Sequence, residues 1–127
     1  MVKQESQEEI MGKYEEVAVS GLKARAISVE PSTAWVFFNN PNKPDSVRWV
    51  FNGLPEGAVS VVIKWDVESP FQNFGAECHG DGRLVLIGTG NTGIEGLYRY
   101  SILFLDEKGQ VVAGVDPEVG NDPEPPH

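Results

Sequence analysis

From Val17 onward, apolar and polar positions alternate with a period of two, and the apolar ones are mostly Val, Ile, Phe and Trp. This is the pattern of half-buried β-strands. Val47, Trp49 and Phe51 share one face of residues 46–52, with Arg48 and Val50 on the other. Val59, Val61, Ile63 and Trp65 alternate against Ser60, Val62, Lys64 and Asp66, and Tyr98, Tyr100, Ile102 and Phe104 alternate against Leu97, Arg99, Ser101, Leu103 and Leu105. The spacing predicts strands at 17–29 (broken near Ser20-Gly21), 33–39, 46–52, 58–66, 83–89, 96–105 and 110–115. Turn chemistry separates them at Glu30-Pro31-Ser32, Asn39 to Asp45, Asn52 to Gly57 and Asp106 to Gly109. About seven short strands with no long helical pattern between them predict an all-β, antiparallel two-sheet sandwich.

Before the first strand, Ser6 and Glu9 have capping-box spacing, and Ile10, Met11 and Tyr14 form a weak apolar face interrupted by Gly12. Residues 1–16 are therefore expected to be an N-terminal arm, disordered or briefly helical. The sandwich is expected over 17–117, followed by a proline-rich acidic tail at 118–127.

Gly96-Leu97-Tyr98-Arg99-Tyr100 opens the penultimate strand, and the final strand ends at Asp116-Pro117. This stretch resembles the end of an immunoglobulin-like sandwich. The resemblance implies that Tyr98 is the corner tyrosine, that Tyr100 stands where antibody domains carry their second cysteine, and that Trp49 is the strand C tryptophan. The same stretch, about a sixth of the chain, is also similar to the C-terminal part of glycogen-binding-type carbohydrate modules, which implies a glycan ligand as an alternative.

Charge narrows the partners. The 127 residues carry 10 Lys and Arg against 19 Asp and Glu, a formal −9. Most of that sits in the two termini, and the body is close to neutral. Nucleic acid is not an expected partner, because phosphate binding needs clustered cations. No apolar run is long enough to span a bilayer and no signal peptide is visible, so no membrane association is expected and the cytoplasm is the expected compartment. The single cysteine, Cys78, excludes an intrachain disulfide and suits a reducing environment.

The candidate chemistry is thin. Cys78-His79 is the one adjacent pair of reactive residue types, and a thiol-dependent enzyme or redox protein using Cys78 is one reading of it. Sequence neighbours are poorly placed for a base to activate a nucleophile, and the only other histidine is His127. A blue-copper site would need a second histidine and a suitably placed methionine, whereas Met1 and Met11 both precede the strands. Glu68, Glu77 and Asp81, and separately Asp116, Glu118 and Asp122, lack EF-hand spacing. Gly88 to Gly93 lacks the lysine and helix of a phosphate loop. No metal, cofactor or catalytic residue is assigned.

Aromatic residues mark the candidate binding positions. Trp35 and Phe37 share one face of 33–39 and Ala34, Val36 and Phe38 the other, so this strand is either covered on both sides or presents an aromatic stacking surface. Phe71 and Phe74 fall in the long stretch from Val67 to Gly82, expected to be a loop, where they either plug the core or project as anchors. Asn42, in the neighbouring loop Asn39 to Asp45, completes the candidate set Phe71, Phe74, Trp35 and Asn42. The expected function is a non-enzymatic recognition module binding a protein partner or a second copy of itself, with a glycan as the alternative ligand.

Overall fold

The computed structural model describes residues 14–20 and 27–125. The arm expected over 1–16 and the last two residues of the expected tail therefore lie largely outside the described residues. Ten strands form two packed sheets: β1 Tyr14–Ser20, β2 Ser28–Glu30, β3 Thr33–Phe37, β4 Ser46–Phe51, β5 Ser60–Trp65, β6 Phe71–Cys78, β7 Leu84–Asn91, β8 Gly96–Leu105, β9 Val111–Val115 and β10 Glu118–Asp122. The first sheet has the order β2-β1-β4-β7-β6. The second has the order β3-β10-β8-β5, with β9 also paired to β8. This is an all-β, immunoglobulin-like sandwich.

Three expectations are corrected. The strand count rises from about seven to ten, because 17–29 divides into β1 and β2 while β6 and β10 were not expected. The sheets are mixed, since β1 runs parallel to β4 and β3 parallel to β10. The segment expected to open a tail at 118 instead forms β10, which lies between β3 and β8. Pairing on both sides explains how a stretch as polar as Glu-Val-Gly-Asn-Asp becomes interior, with Val119 and Asn121 fully buried.

The apolar phases meet between the sheets. Val17 and Val19 of β1, Val47, Trp49 and Phe51 of β4, Ala34 and Val36 of β3, and Tyr100, Ile102 and Phe104 of β8 are all buried. Each large side chain so buried contributes about 1.5–3 kcal/mol. Trp49 is the hub: Trp65, Phe71 and Tyr100 lie edge-on to it at centroid distances of 6.2, 6.3 and 5.7 Å.

Topology revises the role of Trp49. Trp49 lies on β4, in the sheet opposite β8, and its Nε1 donates across the core to the Tyr100 hydroxyl at 2.8 Å. The pair thus ties the two sheets together across the core. The strand beside β8 is β5, where Trp65 is in register with Tyr100 at a centroid distance of 4.8 Å. Trp65, half-buried, and not Trp49 is therefore the tryptophan on the strand beside β8. Tyr98 keeps the corner role, its hydroxyl donating to the Ile94 carbonyl at 2.7 Å.

Candidate protein-binding face

The strand registers bring the loops β3–β4 (38–45), β5–β6 (66–70) and β7–β8 (92–95) to one end of the sandwich. A network of amides stiffens that end. Asn121, buried on β10, and Asn91, at the end of β7, exchange reciprocal side-chain hydrogen bonds of 2.8 and 2.9 Å. Asn91 also donates to the Asp45 carbonyl, and Asn121 donates to the Ile94 carbonyl at 3.1 Å. Ile94 is thereby held by two donors, Asn121 and Tyr98, while its own side chain projects into solvent.

On the outer surface of the second sheet, next to this end, β10 pairs Gly120 with Trp35 on one side and Leu97 on the other. The Trp35 ring lies on Gly120 so closely that a Cβ there would overlap it. Glycine at 120 is thus what lets the indole lie flat on the sheet, 44% exposed. Leu97, Ile94 and Val67 are also exposed and line a shallow depression with Asp66, Glu68, Glu95, Gly96, Tyr98 and Arg99. Three carboxylates, Asp66, Glu68 and Glu95, therefore line the same depression as the three exposed aliphatic side chains, and Trp35 lies beyond it, across Gly120 from Leu97. Burial, together with the Glu68 carboxylate, pushes the Tyr98 phenol above its ordinary value. Below the apolar row, Glu118 accepts from Thr33 at 3.0 Å and pairs with the exposed Arg99 at 3.4 Å.

The four candidate residues do not form one site. Trp35 belongs to the face just described, which decides between the two alternatives for its strand: β3 is an edge strand with Ala34 and Val36 inward and Trp35 outward. Asn42 is exposed in the β3–β4 loop, where its backbone N–H donates to Asn40 Oδ1 in a local turn. The stretch from Val67 to Gly82 is not a loop, since residues 71–78 form β6, paired with β7. Phe71 is a plug, 4% exposed against Trp49 and Trp65, whereas Phe74 is 53% exposed. Leu97, Ile94 and Val67 were missed. The signal available for Leu97 was its outward phase on 96–105, an apolar residue where alternation places polar ones.

Cys78 is exposed at the end of β6, and His79 Nε2 lies 3.9 Å from a Glu77 oxygen. Among the described residues no three His, Cys, Asp or Glu side chains gather as a metal site, and no helix is long and apolar enough to cross a membrane.

No protein-family model and no curated protein sequence matches this chain. Among solved structures, it is similar to the cysteine protease inhibitor EhICP2 from Entamoeba histolytica. The superposition covers 85% of this chain and 94% of that one, with a TM-score of 0.52 and 7% sequence identity. The two share a fold. At that identity the likeness extends to the sandwich and not to particular side chains.

Proposed function

We propose that this protein is a non-enzymatic recognition module that docks a protein partner on the face formed by Trp35, Leu97, Ile94 and Val67. The observation that carries the reading is the Trp35 ring laid flat on Gly120, beside aliphatic side chains on a stiffened loop end. Exposed aromatic and aliphatic groups on rigid elements lose little entropy on binding and supply the anchors of interfaces. The rim of Asp66, Glu68 and Glu95 selects a partner segment that combines apolar anchors with Lys or Arg, because like charges across an interface are costly. The protein that shares the fold is an inhibitor of cysteine proteases, which is in keeping with a protein ligand.

A glycan is the second reading, favoured by the flat indole alone, since sugar rings stack on such surfaces. The test is titration of the intact chain with arrayed peptides bearing aromatic or leucine anchors flanked by Lys or Arg, and with soluble glucans. The expected result is binding of the basic amphipathic peptides, weakened by salt and lost in Trp35→Ala and Leu97→Asp. Heat with glucans that disappears in Trp35→Ala assigns the face to carbohydrate. Peptide binding that is indifferent to both substitutions moves the site elsewhere.

A further inference from the structure

We propose that β6 is a pairing edge for a second copy of this chain, the two β6 strands running antiparallel about a twofold axis at Gly75. Among the described residues β6 pairs only with β7, so one backbone edge of an eight-residue strand is free. Its register with β7 puts Phe74, Ala76 and Cys78 in the phase of Gly88, Leu86 and Leu84, which faces the second sheet, yet all three are exposed. The cause is that the first sheet extends beyond the second. The nearest strand opposite is β5, itself an edge, whose Trp65 touches Phe74 at a centroid distance of 6.3 Å.

Proteins normally blunt such edges with lysine, proline, a bulge or brevity. The other edges follow that rule: β2 has three residues, β3 has five, β9 has five and meets β8 through an irregular register, and β5 carries Lys64. β6 has none of these devices. Its one charge, Glu77, is 3.9 Å from Arg48 on β4.

Self-pairing suits this sequence in charge and in size. With Gly75 opposite its own copy, Phe74 of each chain faces Ala76 of the other, large against small on the apolar side. Glu77 falls opposite Asn73 and not opposite a second Glu77. The free hydrogen-bonding edges are satisfied, and the first sheets join into one of ten strands. Since each chain carries −9, the copies repel at long range, and added salt screens this. Dimerisation therefore strengthens with ionic strength, the reverse of docking a basic peptide.

Analytical ultracentrifugation of the intact chain over a range of concentration and salt tests this. The expected result is a reversible species of twice the 13.9 kDa chain mass, favoured by salt and lost in Ala76→Lys and in Phe74→Lys. Both positions are exposed, and an unchanged far-ultraviolet circular dichroism spectrum with a cooperative thermal melt checks that each variant is folded. Register is read separately. In a Gly75→Cys, Cys78→Ser variant the facing Cα atoms of an antiparallel pair, about 4.5–5.5 Å apart, are within disulfide reach. Oxidation should cross-link this variant. Wild-type Cys78 faces Gln72, with the two thiols about 20 Å apart, and should not cross-link. A monomer at every concentration overturns the proposal, as does a dimer that survives Ala76→Lys or a variant that fails to cross-link. Dimerisation that appears only after removal of residues 1–13 also overturns it, and gives the edge to that segment of the same chain.

Discussion

Replacing Tyr100 by Phe probes the bolt between the sheets. The substitution keeps the ring that packs against Trp49 and Trp65 and deletes only the oxygen that accepts from Trp49 Nε1. A buried indole N–H then has no partner, a loss of about 1–3 kcal/mol. Burial pushes the Tyr100 phenol up to about 12 from an ordinary 10.0, with the Trp49 hydrogen bond opposing slightly. A phenol whose folded pKa exceeds its unfolded one holds its proton more tightly in the native state. Its contribution is complete below about pH 10 and is lost as pH rises through about 12. A change of that size corresponds to about 3 kcal/mol. Denaturant unfolding of wild type and Tyr100→Phe, followed by tryptophan fluorescence from neutral to strongly alkaline pH, reads both effects. Wild type should be the more stable at neutral pH, and its advantage should shrink as pH climbs above 10. Equal stability at neutral pH, or a difference that stays constant through the alkaline range, would refute the reasoning. An independent check is ultraviolet titration of tyrosinate, in which one tyrosine should ionise well above the others.

Phe71→Ala should cost about 3–5 kcal/mol, because a nearly buried ring is removed from beside Trp49. Phe74→Ala, half in solvent, should cost less than about 1 kcal/mol, and thermal melts separate the two. Gly120→Ala should lift the Trp35 ring off the sheet at a cost of about 1 kcal/mol, leaving a folded protein with red-shifted Trp35 emission and weaker peptide binding. Asn121→Ala should free the Ile94 carbonyl from one of its two donors and remove the two side-chain hydrogen bonds that Asn91 shares with Asn121, at about 1–3 kcal/mol, seen as faster amide exchange in residues 92–95.

Much of the sandwich was legible because its central strands obey strict alternation. Val47, Trp49 and Phe51, and Tyr98 to Phe104, declare their inward faces without any knowledge of what lies opposite. β6 and β10 were hidden for opposite reasons. β6 is exposed over residues 72–78, so its apolar phase holds one large side chain, Phe74, followed by only Ala76 and Cys78, too weak an alternation to set it apart from a loop. β10 is short and polar, and Gly120 and Asn121 look like turn residues until Trp35 is seen lying on the one and Asn91 pairing with the other. Trp49 was placed in the core correctly but on the wrong strand of the immunoglobulin-like layout. Its phase is local information, whereas the neighbour of β8 is a question of topology. The candidate face was half legible for a similar reason. Trp35 stood out by residue type, but Leu97, Ile94 and Val67 join it only through strand order and loop position.

The most direct test of the account is a backbone and side-chain NMR titration of the isotopically labelled chain with a peptide carrying a tryptophan or leucine between lysines. Shifts should concentrate at the Trp35 indole, Leu97, Ile94 and Val67, be absent from the β4–β5 and β8–β9 loops at the far end, and be abolished by Leu97→Asp. Shifts at the far-end loops with the Trp35 indole unmoved would contradict it.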